Sequence, residues 1–131
     1  MKFRYKKFSK DVLRPIIPVV IEHDGNSVGY QVLVDSGSDS CIFDADLCEI
    51  LGVDLERGER HDVSGISGQP EPYYVHDVTL WVGGRPCETR VGFKMDMGRF
   101  GHGVVGQKGF FDRFVVKFDL SKEEIELKER A

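Results

Sequence analysis

One acidic residue of the sequence, Asp35, occupies a position where its chemistry can be controlled. It follows the apolar run of residues 28–34 and precedes Ser36, Gly37 and Ser38. A carboxylate at the end of a buried strand is held on rigid backbone beside a low-dielectric core, a setting that favours proton sharing and proton transfer. Gly37 lets the chain turn sharply, and the two serine hydroxyls can donate hydrogen bonds that orient the carboxylate. The segment therefore predicts an acid–base centre at Asp35.

The elements that must position this centre are predicted to be mainly strands. Apolar runs separated by turn residues predict three hairpins, formed by residues 16–21 with 28–34 around Asp24-Gly25-Asn26, residues 78–82 with 87–93 around Gly83-Gly84, and residues 114–119 with 124–128 around Ser121-Lys122. Two short helices are expected, at residues 44–52, with Asp44 as N-cap and Gly52 at the left-handed C′ position, and at residues 107–113. The fold class is therefore mainly β.

The segment Asp35-Ser36-Gly37-Ser38 resembles the catalytic motif of the aspartic proteases, Asp-Ser/Thr-Gly-Ser/Thr/Ala after a hydrophobic strand. In each lobe of that family, two hydrophobic residues and a glycine then precede a short helix and a final strand. Val104, Val105 and Gly106, the helix expected at residues 107–113 and the strand expected at residues 114–119 follow in that order. The resemblance covers residues 16–127 and implies the closed β-barrel of an acid protease.

The chain carries one Asp-Ser-Gly motif, so a second catalytic aspartate must come from another copy. It therefore resembles the retropepsin-like, or retroviral-type, proteases and most of all their stand-alone microbial members, with the active site on the twofold axis of a homodimer. The resemblance implies a single domain over residues 1–131 and an Asp35/Asp35′ dyad that activates water to hydrolyse an extended polypeptide. Ser36 would reach across the axis to the partner's loop, and Ser38 would support the outer oxygen of its own Asp35.

The resemblance also implies a hairpin flap that closes over substrate, expected at residues 61–70 with a return strand at residues 73–80. The expected flap and substrate-binding residues are Ser64, Gly65, Ile66, Ser67 and Gly68. Retroviral-type dimers assemble through chain termini that interleave into a sheet. The strand at residues 124–128 is expected to serve that purpose, and truncation after Leu120 would then abolish dimers.

Two departures from the retroviral pattern affect what can be transferred. Gln107 and Lys108 follow Gly106, where retroviral enzymes often have an arginine and an asparagine or aspartate that tie the subunit together. The contacts that tie the subunit together are expected to come from other residues of this chain. Residues 94–103 also form a longer connection, and the flap tip has fewer glycines, so substrate preference is not implied.

Composition limits the remaining functions. The 131 residues fit one domain, and the net charge of −4 gives no indication of a nucleic-acid partner. Residues 1–11 are basic and are expected to form a solvated arm. No apolar run is long enough for a membrane span or a signal peptide, and three cysteines cannot all pair within the chain, which indicates a cytoplasmic protein. Cysteine and histidine spacings predict no metal site, and no cofactor is expected.

The sequence leaves one alternative to the protease open and disfavours two others. A catalytically silent retropepsin-fold binding or dimerisation module stays open, although the intact Asp35 motif favours catalysis. A thiol hydrolase built on Cys41 and His102 is disfavoured, because Cys41 lies in what reads as a packed strand. Residues 101–106 match Gly-x-Gly-x-x-Gly but lack the βαβ surroundings of a dinucleotide site.

Overall fold

Strands dominate the computed structural model, which describes residues 1–64 and 68–130. They are β1 (Lys2–Arg4), β2 (Lys6–Ser9), β3 (Val12–Arg14), β4 (Ile16–His23), β5 (Asn26–Val34), β6 (Ile42–Asp44), β7 (Glu59–Ser64), β8 (Pro70–Val82), β9 (Arg85–Lys94), β10 (Gly103–Val105), β11 (Phe114–Asp119) and β12 (Glu124–Glu129). The helical elements are α1 (Leu47–Leu51) and two 3₁₀ turns, Leu55–Arg57 and Gly98–Phe100. No helix in the described ranges is long and apolar enough to cross a membrane.

Six strands close into a barrel in the order β4-β5-β10-β6-β9-β8. The ring closes between β8 and β4, where Val20 pairs with Trp81 and Ile21 with Leu80. Closure leaves none of these six strands with a bare edge along its barrel segment, which is how small β domains avoid edge-to-edge association. β7 pairs with the part of β8 that extends beyond the barrel, and the two form a projecting hairpin.

The barrel forms because its strands alternate buried apolar and outward-facing residues. In β4, Ile17, Val19 and Ile21 are buried, whereas Pro18 and Val20 point outward. A residue period of two places every second side chain on the same face, so this pattern buries one face against the core. Inside, the Phe43 and Phe93 rings meet edge to face at 6.2 Å.

All three predicted hairpins are confirmed. β4 and β5 pair up to His23 and Asn26, and β11 and β12 pair up to Asp119 and Glu124. β8 and β9 turn at Gly83 and Gly84, both of which have a positive φ. β8 is a single strand of 13 residues. The predicted return strand of the flap and the first strand of the second hairpin are therefore one continuous element.

The first predicted helix is shorter than expected. Gly52 ends α1 with φ 69°, as predicted, but Asp46 precedes the helix as its N-cap and makes no side-chain cap hydrogen bond. The prediction of Asp44 as N-cap is wrong. Asp44 is the last residue of β6, and its carboxylate accepts the N–H of Asp46 at 3.0 Å. Its side chain therefore stabilises the strand-to-helix turn, an alternative use typical of short acidic residues.

The second predicted helix is absent, since residues 107–113 form consecutive turns. Gly109 interrupts any helix with φ 101°, and its N–H bonds to the carboxylate of Asp112 at 3.1 Å. Residues with left-handed φ cannot continue a right-handed helix. Phe110 and Phe114 still anchor the segment, because both are buried and their ring centroids lie 4.9 Å apart.

The chain ends form a separate three-stranded sheet in the order β1-β12-β11. β12 pairs with β1 on one side and with β11 on the other. A strand has only two hydrogen-bonding edges. Within the chain, β1 pairs only with Glu124 to Glu126, so the expectation that residues 124–128 interleave with a partner chain stays a prediction. The basic start of the chain, expected as a solvated arm, supplies β1 to this sheet and an exposed strand, β2, to a small hairpin with β3.

Core packing at Phe93 gives a direct test of the barrel. Replacing the fully buried ring in Phe93→Ala should lower the free energy of unfolding by about 3–5 kcal/mol, because a cavity remains among Phe43 and the surrounding strands. Urea denaturation measures the change. The matched Phe100→Ala, at a ring that is 47% exposed, should cost less than about 1 kcal/mol. Equal losses in the two variants would contradict this core assignment.

Candidate active site

Asp35 lies where β5 leaves the barrel. β10 runs parallel to β5 with Val105 beside Val34, and the Asp35 N–H continues this pairing by donating to the Val105 carbonyl at 3.0 Å. Val105 is fully buried. The Asp35 motif and the hydrophobic-hydrophobic-glycine motif therefore lie side by side. Asp35 itself is half-buried, so the backbone beneath the carboxylate is fixed while the side chain remains accessible.

The loop after Asp35 turns back on the carboxylate. The Gly37 N–H donates to Asp35 Oδ1 at 2.9 Å, and the Ser38 N–H donates to the Asp35 carbonyl at 3.1 Å. A Cβ on Gly37 would stand 3.2 Å from Oδ1, which is tighter than ordinary packing. The glycine therefore permits the close approach through which the backbone orients the acid. Charge-assisted bonds of this kind are stronger than neutral ones.

The two serines of the motif differ from each other in the structure. Ser38 Oγ donates to the Ser40 carbonyl at 2.8 Å. A hydroxyl has a single proton to donate, so the expected support of Asp35 by Ser38 is replaced here by the Gly37 N–H. Ser36 is exposed beside the carboxylate, and its carbonyl accepts from Gln107 Nε2 at 3.0 Å. Its expected reach to a partner's loop remains a prediction.

Gly106 and the residue after it brace this loop from below. The Gln107 N–H donates to the Ser38 carbonyl at 2.8 Å. A Cβ on Gly106 would collide with that same carbonyl oxygen and would lie 2.6 Å from the Ser40 carbonyl oxygen. Only glycine allows the two backbones to approach this closely. The loop that carries Asp35 and the Val104-Val105-Gly106 motif therefore form one packed unit.

Gln107 is the site residue whose role the sequence did not reveal. From the sequence alone, Gln107 replaces an arginine that ties the retroviral subunit together, and other residues are expected to take over that role. In the structure, its side-chain amide supplies support by bonding to Ser36 across 71 positions of sequence. A chemical signal in the sequence could have identified Gln107, because its side-chain amide directly after Gly106 can donate a hydrogen bond as an arginine can.

Charged side chains join the β7–β8 hairpin to β9, at Glu59 near its base and at Glu71 near its outer end. Glu59 lies 2.8 Å from His61 Nε2 and 3.4 Å from Arg90, and hydrogen bonds from His61 and then Arg90 lower the pKa of the Glu59 carboxyl. A hydrogen bond from Lys94, at 2.8 Å, likewise lowers the pKa of Glu71. These exposed pairs contribute little individually, but they tie both hairpin strands to the barrel wall.

Only part of the expected flap tip can be located. The last pair of the hairpin is Ser64 with Pro70. Gly68 has φ 78°, a conformation that suits a turn. Gly65, Ile66 and Ser67 lie outside the described residues. Their assignment to the flap therefore remains a prediction that rests on their place between two paired strands.

Neither alternative site has the features it would need. Cys41 is 1% exposed and donates to the Lys108 carbonyl, and burial raises the pKa of its thiol to about 12. A thiol in that state is not a nucleophile near neutral pH. Residues 101–106, the dinucleotide-motif match, contain β10, which lies between β5 and β6 in the barrel. They form an interior strand instead of a strand-to-helix phosphate loop.

The closed barrel, the Asp35 loop and the projecting hairpin define a retropepsin-like fold. The chain is similar to a retropepsin-like aspartic protease from Rickettsia conorii, with a TM-score of 0.62 and 14% identity over 95% of this chain and 97% of that one. It is also similar to the EIAV protease in complex with the inhibitor HBY-793, with a TM-score of 0.54 and 21% identity over 77% and 86% of the two chains. No protein-family model and no curated protein matches the chain. The predicted mainly β, retropepsin-like barrel is confirmed.

The close contact beneath Asp35 predicts a strong effect of a single methyl group. Gly106→Ala should lower the free energy of unfolding by about 1–3 kcal/mol, because its Cβ must displace the backbone at Ser38 and Ser40. Gly29→Ala is a matched control, since that position in β5 has open space and neither glycine has a positive φ. It should change stability by less than about 1 kcal/mol. Comparable denaturation curves for the two variants would refute the contact.

Gln107 is expected to act through its donor. Gln107→Ala should accelerate hydrogen exchange at the Gly37 and Ser38 amides several-fold, yet alter global stability by less than about 1.5 kcal/mol, because one exposed hydrogen bond is lost. Gln107→Arg keeps a donor and should preserve the protection. Mass-spectrometric exchange on the three proteins measures this. Unchanged exchange in Gln107→Ala would show that the amide does not hold the loop.

Proposed function

We propose that the protein is an aspartic endopeptidase that acts as a homodimer and hydrolyses extended polypeptides. The observation that carries this proposal is the accessible Asp35 carboxylate, oriented by the Gly37 N–H on a loop that Gly106 and Gln107 brace from below. An acid used only for structure would have its lone pairs occupied by burial or ion pairing. Asp35 has a fixed backbone and a half-exposed side chain, a combination suited to a reacting group.

The proposed chemistry needs two copies of Asp35. Two carboxylates that face each other at a twofold axis repel, so the pair retains one proton, as is established for aspartic proteases in general. The ionised member would take a proton from a bound water as that water attacks the scissile carbonyl. The protonated member would polarise the carbonyl oxygen. The two carboxylates share one proton, so the ionised and the protonated roles do not belong to a particular copy of Asp35.

The β7–β8 hairpin is proposed to be the flap of each subunit. Residues Ser64, Gly65, Ile66, Ser67 and Gly68 would cover the substrate and exclude water from the dyad. The hairpin strands would offer backbone groups to an extended peptide, as in strand addition. The ion pairs of Glu59 with Arg90 and of Glu71 with Lys94 support this role, because they hold both described strands of the hairpin against β9.

A cytoplasmic location is proposed on the state of the cysteines. Cys41, Cys48 and Cys87 are free thiols, and the first two are buried. Small domains of exported proteins usually use cysteines as disulfides, whereas reduced thiols suit a reducing compartment. Polypeptide substrates of that compartment are accordingly the expected targets.

Removing the charge of the dyad should abolish activity. Wild type and Asp35→Asn are incubated with a diverse peptide library between about pH 4 and about pH 7, a range set by coupled carboxylates. We expect cleavage by the wild type alone, because the amide cannot accept a proton from water. Mass spectrometry identifies the products, and a pepstatin-type inhibitor should suppress them.

Asp11→Asn is the matched control, since it makes the same chemical change at an exposed residue in the β2–β3 turn. It should retain full activity. Cleavage by Asp35→Asn at the wild-type rate would exclude the dyad mechanism. If the wild type is folded and dimeric but cleaves nothing, the catalytically silent binding or dimerisation module is the better account.

A further inference from the structure

The hairpin formed by β2 and β3 lies in a stretch of the chain where positive charge is concentrated. Residues 1–14 hold six lysine and arginine side chains and a single acid. Lys6, Lys7 and Lys10 are exposed, and none of the three has an ion-pair partner in the described part of the chain. These cations therefore remain available to a negatively charged partner.

One face of the hairpin combines cations with uncovered apolar side chains. Lys6 pairs with Arg14 across the two strands, and the Arg14 guanidinium lies 3.8 Å from the centre of the Phe8 ring. Phe8 is 48% exposed, and Val12, which shares the face of Arg14, is 39% exposed. The contact with the ring orders the guanidinium and leaves its charge unneutralised.

The backbone of the hairpin is also open to a further strand. Among residues 1–64 and 68–130, β2 and β3 pair only with each other, so each has an outer edge of N–H and C=O groups without a partner strand. An extended polypeptide can add to such an edge through backbone hydrogen bonds, while its side chains meet those of the hairpin. The hairpin therefore offers both backbone and charged side-chain partners to an extended chain.

The hairpin is attached directly beside the candidate active site. Pro15, which follows β3, accepts a hydrogen bond from the Val34 N–H at 2.9 Å, and Val34 precedes Asp35. From Lys10 at the hairpin turn to Pro15 the chain spans at most about 18 Å, and the step across to Asp35 adds about 9 Å. An extended polypeptide of about eight residues covers that distance.

We propose that this basic face, formed by Lys6, Phe8, Val12 and Arg14 with Lys10 at the turn, binds an acidic segment of the polypeptide substrate. The inference rests on the proposed function, because the segment belongs to a chain that the aspartate dyad would cleave. It specifies the substrate class as extended polypeptides with a run of glutamates or aspartates within about eight residues of the scissile bond.

The distribution of charge favours a short acidic segment over a nucleic acid or an anionic membrane. Beyond residue 14, 21 acids face 12 lysine and arginine residues. A large polyanion laid along the molecule would be repelled by this acidic remainder, whereas a segment of a few residues meets the hairpin alone. The open strand edges match the backbone of a polypeptide and not that of a nucleic acid.

Two peptides that share one cleavable core from the library test the substrate class. One carries a run of glutamates centred about six residues from the scissile bond, and the other carries glutamines there. At about 0.15 M salt, the wild type should cleave the glutamate peptide with a kcat/KM about three- to tenfold higher, through a lower KM, because the basic face adds binding and takes no part in the chemistry. At about 1 M salt, screening should remove this preference.

Lys6→Gln/Lys10→Gln should reduce the ratio of the two kcat/KM values to about one, because the cations that meet the glutamates are lost. The matched control is Lys117→Gln/Lys122→Gln, which removes the same charge at exposed lysines of the β11–β12 hairpin and should keep the wild-type ratio. A wild type that cleaves both peptides equally well, or a preference that survives in Lys6→Gln/Lys10→Gln, would overturn the inference and leave the protease intact.

Binding measured without cleavage separates the failure of this inference from that of the proposed function. Fluorescence anisotropy with the full-length Asp35→Asn protein should show tighter binding of the labelled glutamate peptide than of the glutamine peptide. The same result with a wild type that cleaves nothing would overturn the proposed function and retain the basic face as a site for acidic polypeptides. Tighter binding of a single-stranded oligonucleotide, or of phosphatidylserine–phosphatidylcholine vesicles, would overturn the choice of a polypeptide partner.

Discussion

Close backbone contact between two distant segments is the constraint on which the candidate site depends. The Asp35 loop lies on Gly106, where even a methyl group would collide with the Ser38 carbonyl. That contact allows the Gln107 N–H to reach the loop and places Val105 where its carbonyl accepts the Asp35 N–H. Interiors are packed too tightly to absorb a displaced backbone, so the acid's position follows from this contact more than from its own hydrogen bonds.

Strand pairing determines where the molecule is closed and where it is open. The barrel closes through the pairing of β4 with β8. In the terminal sheet, β12 pairs with β1 on one side and with β11 on the other. Among residues 1–64 and 68–130, β1 and β11 are the outer strands of the terminal sheet, and each has one edge without a partner strand.

Local sequence signals predicted much of the fold. Turn residues flanked by apolar runs located the three hairpins, and a left-handed Gly52 correctly ended α1, because these features depend on neighbours within a few residues. The same local logic failed at residues 107–113. The apolar pair Phe110 and Phe111 suggested a helix there, yet Gly109 has a positive φ, and its carbonyl accepts a hydrogen bond from the Thr89 hydroxyl on β9. Tertiary packing overrode the local preference.

The sequence by itself determined that a single Asp-Ser-Gly segment follows an apolar strand and precedes the Val104-Val105-Gly106 motif, since both are properties of residue types in series. Tertiary structure alone decided that Gln107 braces the loop, that the Gly37 N–H and not Ser38 orients Asp35, and that β12 lies between β1 and β11. The physical reason is that hydrogen-bond partners compete. Which donor reaches an acceptor depends on how segments far apart in sequence are arranged in space. The order of residues along the chain does not specify the distances between their atoms.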